Sequence, residues 1–168
     1  MLVRCRMAER TYETDTIRVL WDSTLCIHTG ICLQLGEGVF DTGRRPWVDL
    51  TLAPTEKIVE TVTSCPSGAL KYERLDGGEG EVPQVPASVV PWPNGPMLVR
   101  GEVEVQDRHG DVFAATTRAA LCRCGASSNQ PFCDLSHKEA GFRDYPLVRG
   151  HDRATADSPA DISETQLE

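Results

Sequence analysis

Cys122-Arg123-Cys124-Gly125-Ala126-Ser127-Ser128-Asn129-Gln130-Pro131-Phe132-Cys133-Asp134-Leu135-Ser136-His137 places three thiols and one imidazole in a single short loop. A Cys-x-Cys pair sets two sulfurs on one side of a tight backbone turn, where both can bind one metal ion. Cys133 and His137 are four apart, so one helical turn would bring them to a common face. Glycine and proline interrupt the stretch, as in a loop wrapped around a centre rather than a packed helix. Three sulfurs and one nitrogen suit iron, and zinc accepts the same set.

A second group lies upstream in Cys26-Ile27-His28-Thr29-Gly30-Ile31-Cys32 and in Cys65-Pro66-Ser67-Gly68-Ala69-Leu70. Bacterial ferredoxins space their cluster ligands as Cys-x2-Cys-x2-Cys with a remote Cys-Pro. Here Cys26, Cys32 and Cys65 stand at the first, third and remote positions, and Thr29 replaces the middle cysteine. Three thiolates without the fourth are what a [3Fe–4S] cluster requires. With His28 as a fourth ligand, one position from the usual place, the same site would hold [4Fe–4S]. Burial as plain packing residues is the alternative for these cysteines, and for His28 it is a solvated or supporting role.

The chain has seven cysteines, an odd number, and shows no export signal, so a disulfide framework is not the expected use. The start, Met1-Leu2-Val3-Arg4-Cys5-Arg6-Met7, is too charged and short for a leader or a membrane span, and Met7 is an alternative start. A cytoplasmic, non-membrane protein is expected. Acidic residues outnumber basic ones 25 to 17, a formal net charge of -8. That balance offers no basic stripe to a phosphate backbone, which argues against nucleic acid. Cys5 matches no pattern.

Two compact units are expected, over 10–75 and 95–150, with a Pro/Gly-rich linker over 76–94 and a disordered acidic tail over 151–168. In the first unit the alternation of Ile17 and Val19 suggests a strand from Tyr12 to Leu20, with short strands at Val39-Phe40 and at Trp47-Val48-Asp49-Leu50. Pro54 to Ser64 reads as a helix with Ile58, Val59 and Val62 on one face, ended by Cys65-Pro66-Ser67-Gly68. In the second unit Met97–Gln106 and Val112–Ala115 read as strands around a His109-Gly110-Asp111 turn. Units this small bury little surface, and a metal centre in each would supply the missing constraint.

The C-terminal loop resembles the CDGSH iron–sulfur (mitoNEET-type) family, which pairs Cys-x-Cys with a later Cys-Asp-Gly-(Ser/Ala/Thr)-His. Ser127, Pro131, Cys133, Asp134, Ser136 and His137 fall in place, as do Leu98-Val99-Arg100-Gly101, Arg118-Ala119-Ala120-Leu121 and Gly141-Phe142. Leu135 departs from the family's glycine and bears on the backbone angle there, because leucine disfavours positive φ. The resemblance implies a [2Fe–2S] cluster with Cys122 and Cys124 on one iron and Cys133 and His137 on the other. A neutral imidazole ligand raises the reduction potential, and its protonation weakens the bond. The N-terminal group resembles divergent single-cluster ferredoxins in its Cys-x-His-x-Gly-x-Cys and Cys-Pro-Ser-Gly-Ala-Leu runs, with Asp22, Val39-Phe40-Asp41 and Pro46-Trp47-Val48 in keeping.

The fold class expected is therefore α+β, a ferredoxin-like N-terminal domain plus a small β-rich CDGSH domain. The function expected is electron transfer by a two-cluster protein working with a redox partner such as a reductase or oxidoreductase. The alternative is cluster storage, transfer to an apo iron–sulfur acceptor, or redox sensing through the His137 site. No phosphate loop, nucleophile elbow or paired carboxylates mark an enzyme of its own. A homodimer is compatible with the single CDGSH copy.

Overall fold

β2, from Ile17 to Asp22, is the centre of the N-terminal unit because its alternate residues Ile17 and Val19 are fully buried. A computed structural model describes residues 9–144, so Cys5 and the expected tail lie outside the described residues. β1 (Glu9–Glu13) and β3 (Leu70–Arg74) flank β2 in an antiparallel sheet of order β1-β2-β3. The single strand expected from Tyr12 to Leu20 is a hairpin instead. Thr14 Oγ1 accepts the backbone N–H of Ile17 and turns the chain between β1 and β2.

α1 (Ile31–Leu35) follows Gly30, whose φ of 70° starts it with a left-handed residue. α2 (Thr55–Ser64) begins after Pro54, as the sequence predicts, and buries Ile58, Thr61 and Val62. Proline suits this start because the first helical N–H groups have no intrahelical acceptor. The strands expected at Val39-Phe40 and Trp47–Leu50 reduce to a single bridge between Phe40 and Val48, with a 3-10 turn at Leu50–Leu52. Val39, Phe40, Val48 and Leu50 nevertheless fill the core against α2 and β2. Burial, not strand pairing, is what their apolar pattern encoded.

The C-terminal unit is a second three-stranded antiparallel sheet of order β4-β5-β6. β5 (Met97–Gln106) matches its expected limits, and β6 runs from Val112 to Leu121, longer than expected. β4 (Ser88–Pro91) was not expected, since prolines crowd that stretch. It is tolerated because, among the described residues, it pairs only with β5 and Pro91 closes it, an edge position where a missing N–H costs little. A short helix, α3 (Ser136–Glu139), ends the metal loop.

The core of this unit is thin. Leu98, Ala120 and Cys133 form its buried cluster, and the apolar residue packed on them is Ile27 from the N-terminal unit. The stretch expected to be a free spacer also takes part, because Glu81 pairs with Arg118 of β6 at 2.7 Å. The two sheets are docked together and not merely tethered.

Candidate metal centres

β6 delivers Cys122 directly from the sheet, and the loop then folds back beside it. Cys122 N–H donates to Pro131 O at 2.8 Å and Cys133 N–H to Ala120 O at 2.9 Å, so both cysteines sit on the end of one ladder. Arg123, between Cys122 and Cys124, points away and clamps Trp92 O, Gly95 O and Asp144. Asp134 accepts hydrogen bonds from the backbone and hydroxyl of both Ser128 and Ser136. Those bonds, the Ser136 hydroxyl first, hold its carboxylate far below the ordinary range. It therefore acts as a fixed negative staple across the loop.

The side chains meet in two pairs. Cys122 Sγ and Cys124 Sγ are 3.8 Å apart, and Cys133 Sγ lies 3.5 Å from His137 Nδ1. A tetrahedral metal with sulfur at ~2.3 Å and nitrogen at ~2.05 Å requires S···S of ~3.8 Å and S···N of ~3.6 Å. Each pair is thus already spaced to chelate one metal ion. Among the described residues, no three Cys, His, Asp or Glu side chains converge as ligands of one ion would. This donor set fits two metal ions, with two protein ligands each.

The expected helical turn from Cys133 to His137 is not how the second pair forms. α3 starts only at Ser136, and Leu135 just before it adopts φ 73° and ψ 0°. Leucine thus takes the left-handed angle that a glycine would adopt freely, at a cost of about 1–2 kcal/mol. Leu135 N–H in turn points at Cys133 Sγ at 3.4 Å, and Ala126 N–H points at Cys124 Sγ at 3.4 Å. Such donors draw charge from sulfur and raise the potential of a bound cluster.

Electrostatics differ between the four. Burial pushes the Cys133 thiol up and the His137 imidazole down, the latter with help from Lys138. For Cys122 burial acts the same way, but the backbone N–H groups of Ser127 and Gly125 outweigh it and lower the thiol.

Cys26, Cys32 and Cys65 line one partly enclosed cavity of about 30 Å³. Cys26 follows a 3-10 turn capped by Asp22, Cys32 lies in α1, and Cys65 caps the C-terminus of α2. Burial lifts the Cys32 thiol to about 11, and Cys65 and Cys26 add to the shift by repulsion. Burial and Cys65 likewise lift Cys26, against the backbone N–H of His28. Thiolates that repel one another in a largely apolar cavity are relieved by cations. Trp47 lines the same cavity, and its indole N–H is buried without an acceptor among the described residues. An iron–sulfur cluster supplies both the cations and a sulfur acceptor, so the residues fit the group.

His28 stands at the rim with an exposed side chain and φ 51°. An outer groove shares Trp21, Cys26, Cys32 and Trp47 with the cavity and adds Arg10, Leu33 and Arg45. Sequence reasoning gave Trp47, Asp134 and Arg118 only as motif positions, and Ile27 as a spacer. Their partners are distant in sequence, so spacing carried no signal for them.

Two docked sheets, each presenting a cysteine-rich loop, define an iron–sulfur protein. Residues 12–75 match the divergent 4Fe-4S mono-cluster family, and residues 94–138 match the iron-binding zinc finger CDGSH type. The chain belongs to the divergent mono-cluster family and carries a CDGSH module fused to it. Its N-terminal part is similar to the uncharacterized protein YjdI of Escherichia coli strain K12. The two are 33% identical over 63 residues, 38% of this chain and 83% of that protein. YjdI of Escherichia coli O157:H7 matches equally.

Proposed function

We propose that the protein is a two-cluster electron carrier. Cys122, Cys124, Cys133 and His137 hold a [2Fe–2S] cluster, and Cys26, Cys32 and Cys65 hold a second cluster of the [3Fe–4S] type. The carrying observation is that the donors meet as two pairs, at 3.8 and 3.5 Å, while no three of them converge on one point among the described residues, which suits two irons with two ligands each better than one zinc with four. The N-terminal ligand order, one cysteine after a turn, one at the start of a short helix and one before proline, supports a ferredoxin-like reading of that unit.

Bound there, the clusters supply one-electron redox chemistry, and the protein sets their potentials. The imidazole of His137 and the N–H groups of Leu135 and Ala126 raise that of the C-terminal site. The three thiolates keep the N-terminal site lower. The outer groove beside Cys26 and Cys32 gives an external redox protein its approach. The six cysteines of the described residues are free thiols, which suits a reducing cytoplasm. The chain then needs no substrate pocket and acts as a carrier, not an enzyme.

The test is iron, zinc and acid-labile sulfide per chain, with electron paramagnetic resonance, on protein purified without oxygen. The expected result is iron and sulfide for both clusters and an N-terminal signal in the oxidised state. An oxidised N-terminal site that is silent and holds four irons replaces [3Fe–4S] with the His28-assisted [4Fe–4S] form. One zinc and no iron at the C-terminal loop refutes the proposal. Cluster donation is the second reading, favoured by the single imidazole among the ligands. Rapid transfer of the C-terminal cluster to an apo-ferredoxin would support it.

A further inference from the structure

The residues beside the N-terminal cysteines are the ones that touch the C-terminal metal loop. Ile27, next to Cys26, packs against Leu98, Ala120 and Cys133. Asn129 of the metal loop donates from Nδ2 to Thr24 O at 2.9 Å, just ahead of Cys26. Arg118 is only 3% exposed, yet its guanidinium faces the N-terminal unit. It donates to Cys65 O at 2.5 Å, Val62 O at 2.7 Å and Leu70 O at 2.9 Å. Its own strand, β6, leads straight to Cys122. Gly68, at φ 70°, completes the fit, because a Cβ there would overlap Arg118 O.

We infer that an electron passes within one chain between the two metal sites, across the packing of Ile27 on the Leu98, Ala120 and Cys133 cluster, and that Arg118 is the positioning residue that fixes their separation. The inference rests on the two-cluster reading above. Ile27 follows Cys26 in the chain and packs on the cluster that contains Cys133, so one side chain joins the two cysteine loops. Arg118 adds a second link, from the peptide of Cys65 into the strand of Cys122. A flexible linker alone would leave no fixed path. Direction follows from ligand chemistry: the thiolate-only site has the lower potential, and the site with His137 the higher.

The balance is simple. A one-electron donor protein at the outer groove reduces the N-terminal site. That electron leaves it oxidised again and reduces the C-terminal site. No bond forms or breaks, and no atom changes place.

The experiment uses anaerobic full-length protein with metal and sulfide content measured on every sample. Dithionite sets a potential at which both sites are paramagnetic. The resonance spectrum and its power saturation are compared with the sum for Cys122→Ala and Cys65→Ala, which each retain one site. The expected wild-type signals are broader and relax faster than that sum. Equality with the sum, at full occupancy of both sites, overturns the inference while leaving two clusters. A site empty of iron in the wild type overturns the two-cluster reading and this inference with it. Arg118→Lys keeps the charge but cannot span three carbonyls, and Gly68→Ala presses on Arg118 O. Either variant should keep both metal contents and lose the extra relaxation. Full retention of it in both variants removes Arg118 as the positioning residue.

Discussion

Replacing Arg118 with methionine keeps most of the apolar stem and removes the guanidinium. Val62 O retains a second donor, the Cys65 N–H at 3.1 Å, so its loss is small. Cys65 O and Leu70 O each lose a charged donor in a buried setting. At about 1–3 kcal/mol for each of the two weakened buried acceptors, the loss is ~2–6 kcal/mol. Glu81, with only 17% of its side chain exposed, loses its cationic partner and keeps Thr117 as a donor, which adds to the loss. The assay is equilibrium urea unfolding at fixed cluster occupancy.

The same ion pair gives a pH signature. Burial pushes the Glu81 carboxyl up, but hydrogen bonds from Arg118 and Thr117 outweigh it and hold it below the ordinary range. A depressed carboxyl contributes stability above its unfolded value of ~4.3, lost as pH falls through the folded value. Wild-type stability should therefore drop below about pH 4, and Arg118→Met should flatten that drop. A loss under ~1 kcal/mol with an unchanged acid profile would refute the reasoning, because the buried acceptors would then have found other donors.

Cys133→Ala should remove the visible colour of the C-terminal centre and lower iron by one cluster, measured by absorption and metal analysis. Leu135→Gly should hold the 3.5 Å pair and retain the cluster. Leu135→Val, β-branched at φ 73°, should cost about 1 kcal/mol more than leucine and speed cluster loss, followed as bleaching over time. Trp47→Phe removes the indole N–H that lacks a protein acceptor, so the N-terminal midpoint potential should move negative in a redox titration. An unmoved potential would mean the N–H does not reach the cluster.

The two C-terminal side-chain pairs were legible in the sequence because their contacts are local. Cys122 with Cys124, and Cys133 with His137, meet through turns of a few residues, and a turn leaves its mark in spacing. How the second pair meets was not legible. It needs Leu135 in the left-handed region, and the identity of that residue argues against such an angle. The helix at Thr55–Ser64 showed itself through period and proline, whereas β4 hid among prolines that only an edge strand tolerates. The docking of the two units was invisible for another reason. Arg118 reaches carbonyls far away in sequence, and any residue type can offer a carbonyl.

Ile27 bears on the order of synthesis. The N-terminal unit leaves the ribosome first and can fold before β5 and β6 are made. When Leu98, Ala120 and Cys133 emerge, the apolar surface that finishes their core is already waiting on the neighbouring sheet. The earlier domain thus acts as a template for the later one, and the later one made alone would carry a bare patch around Cys133.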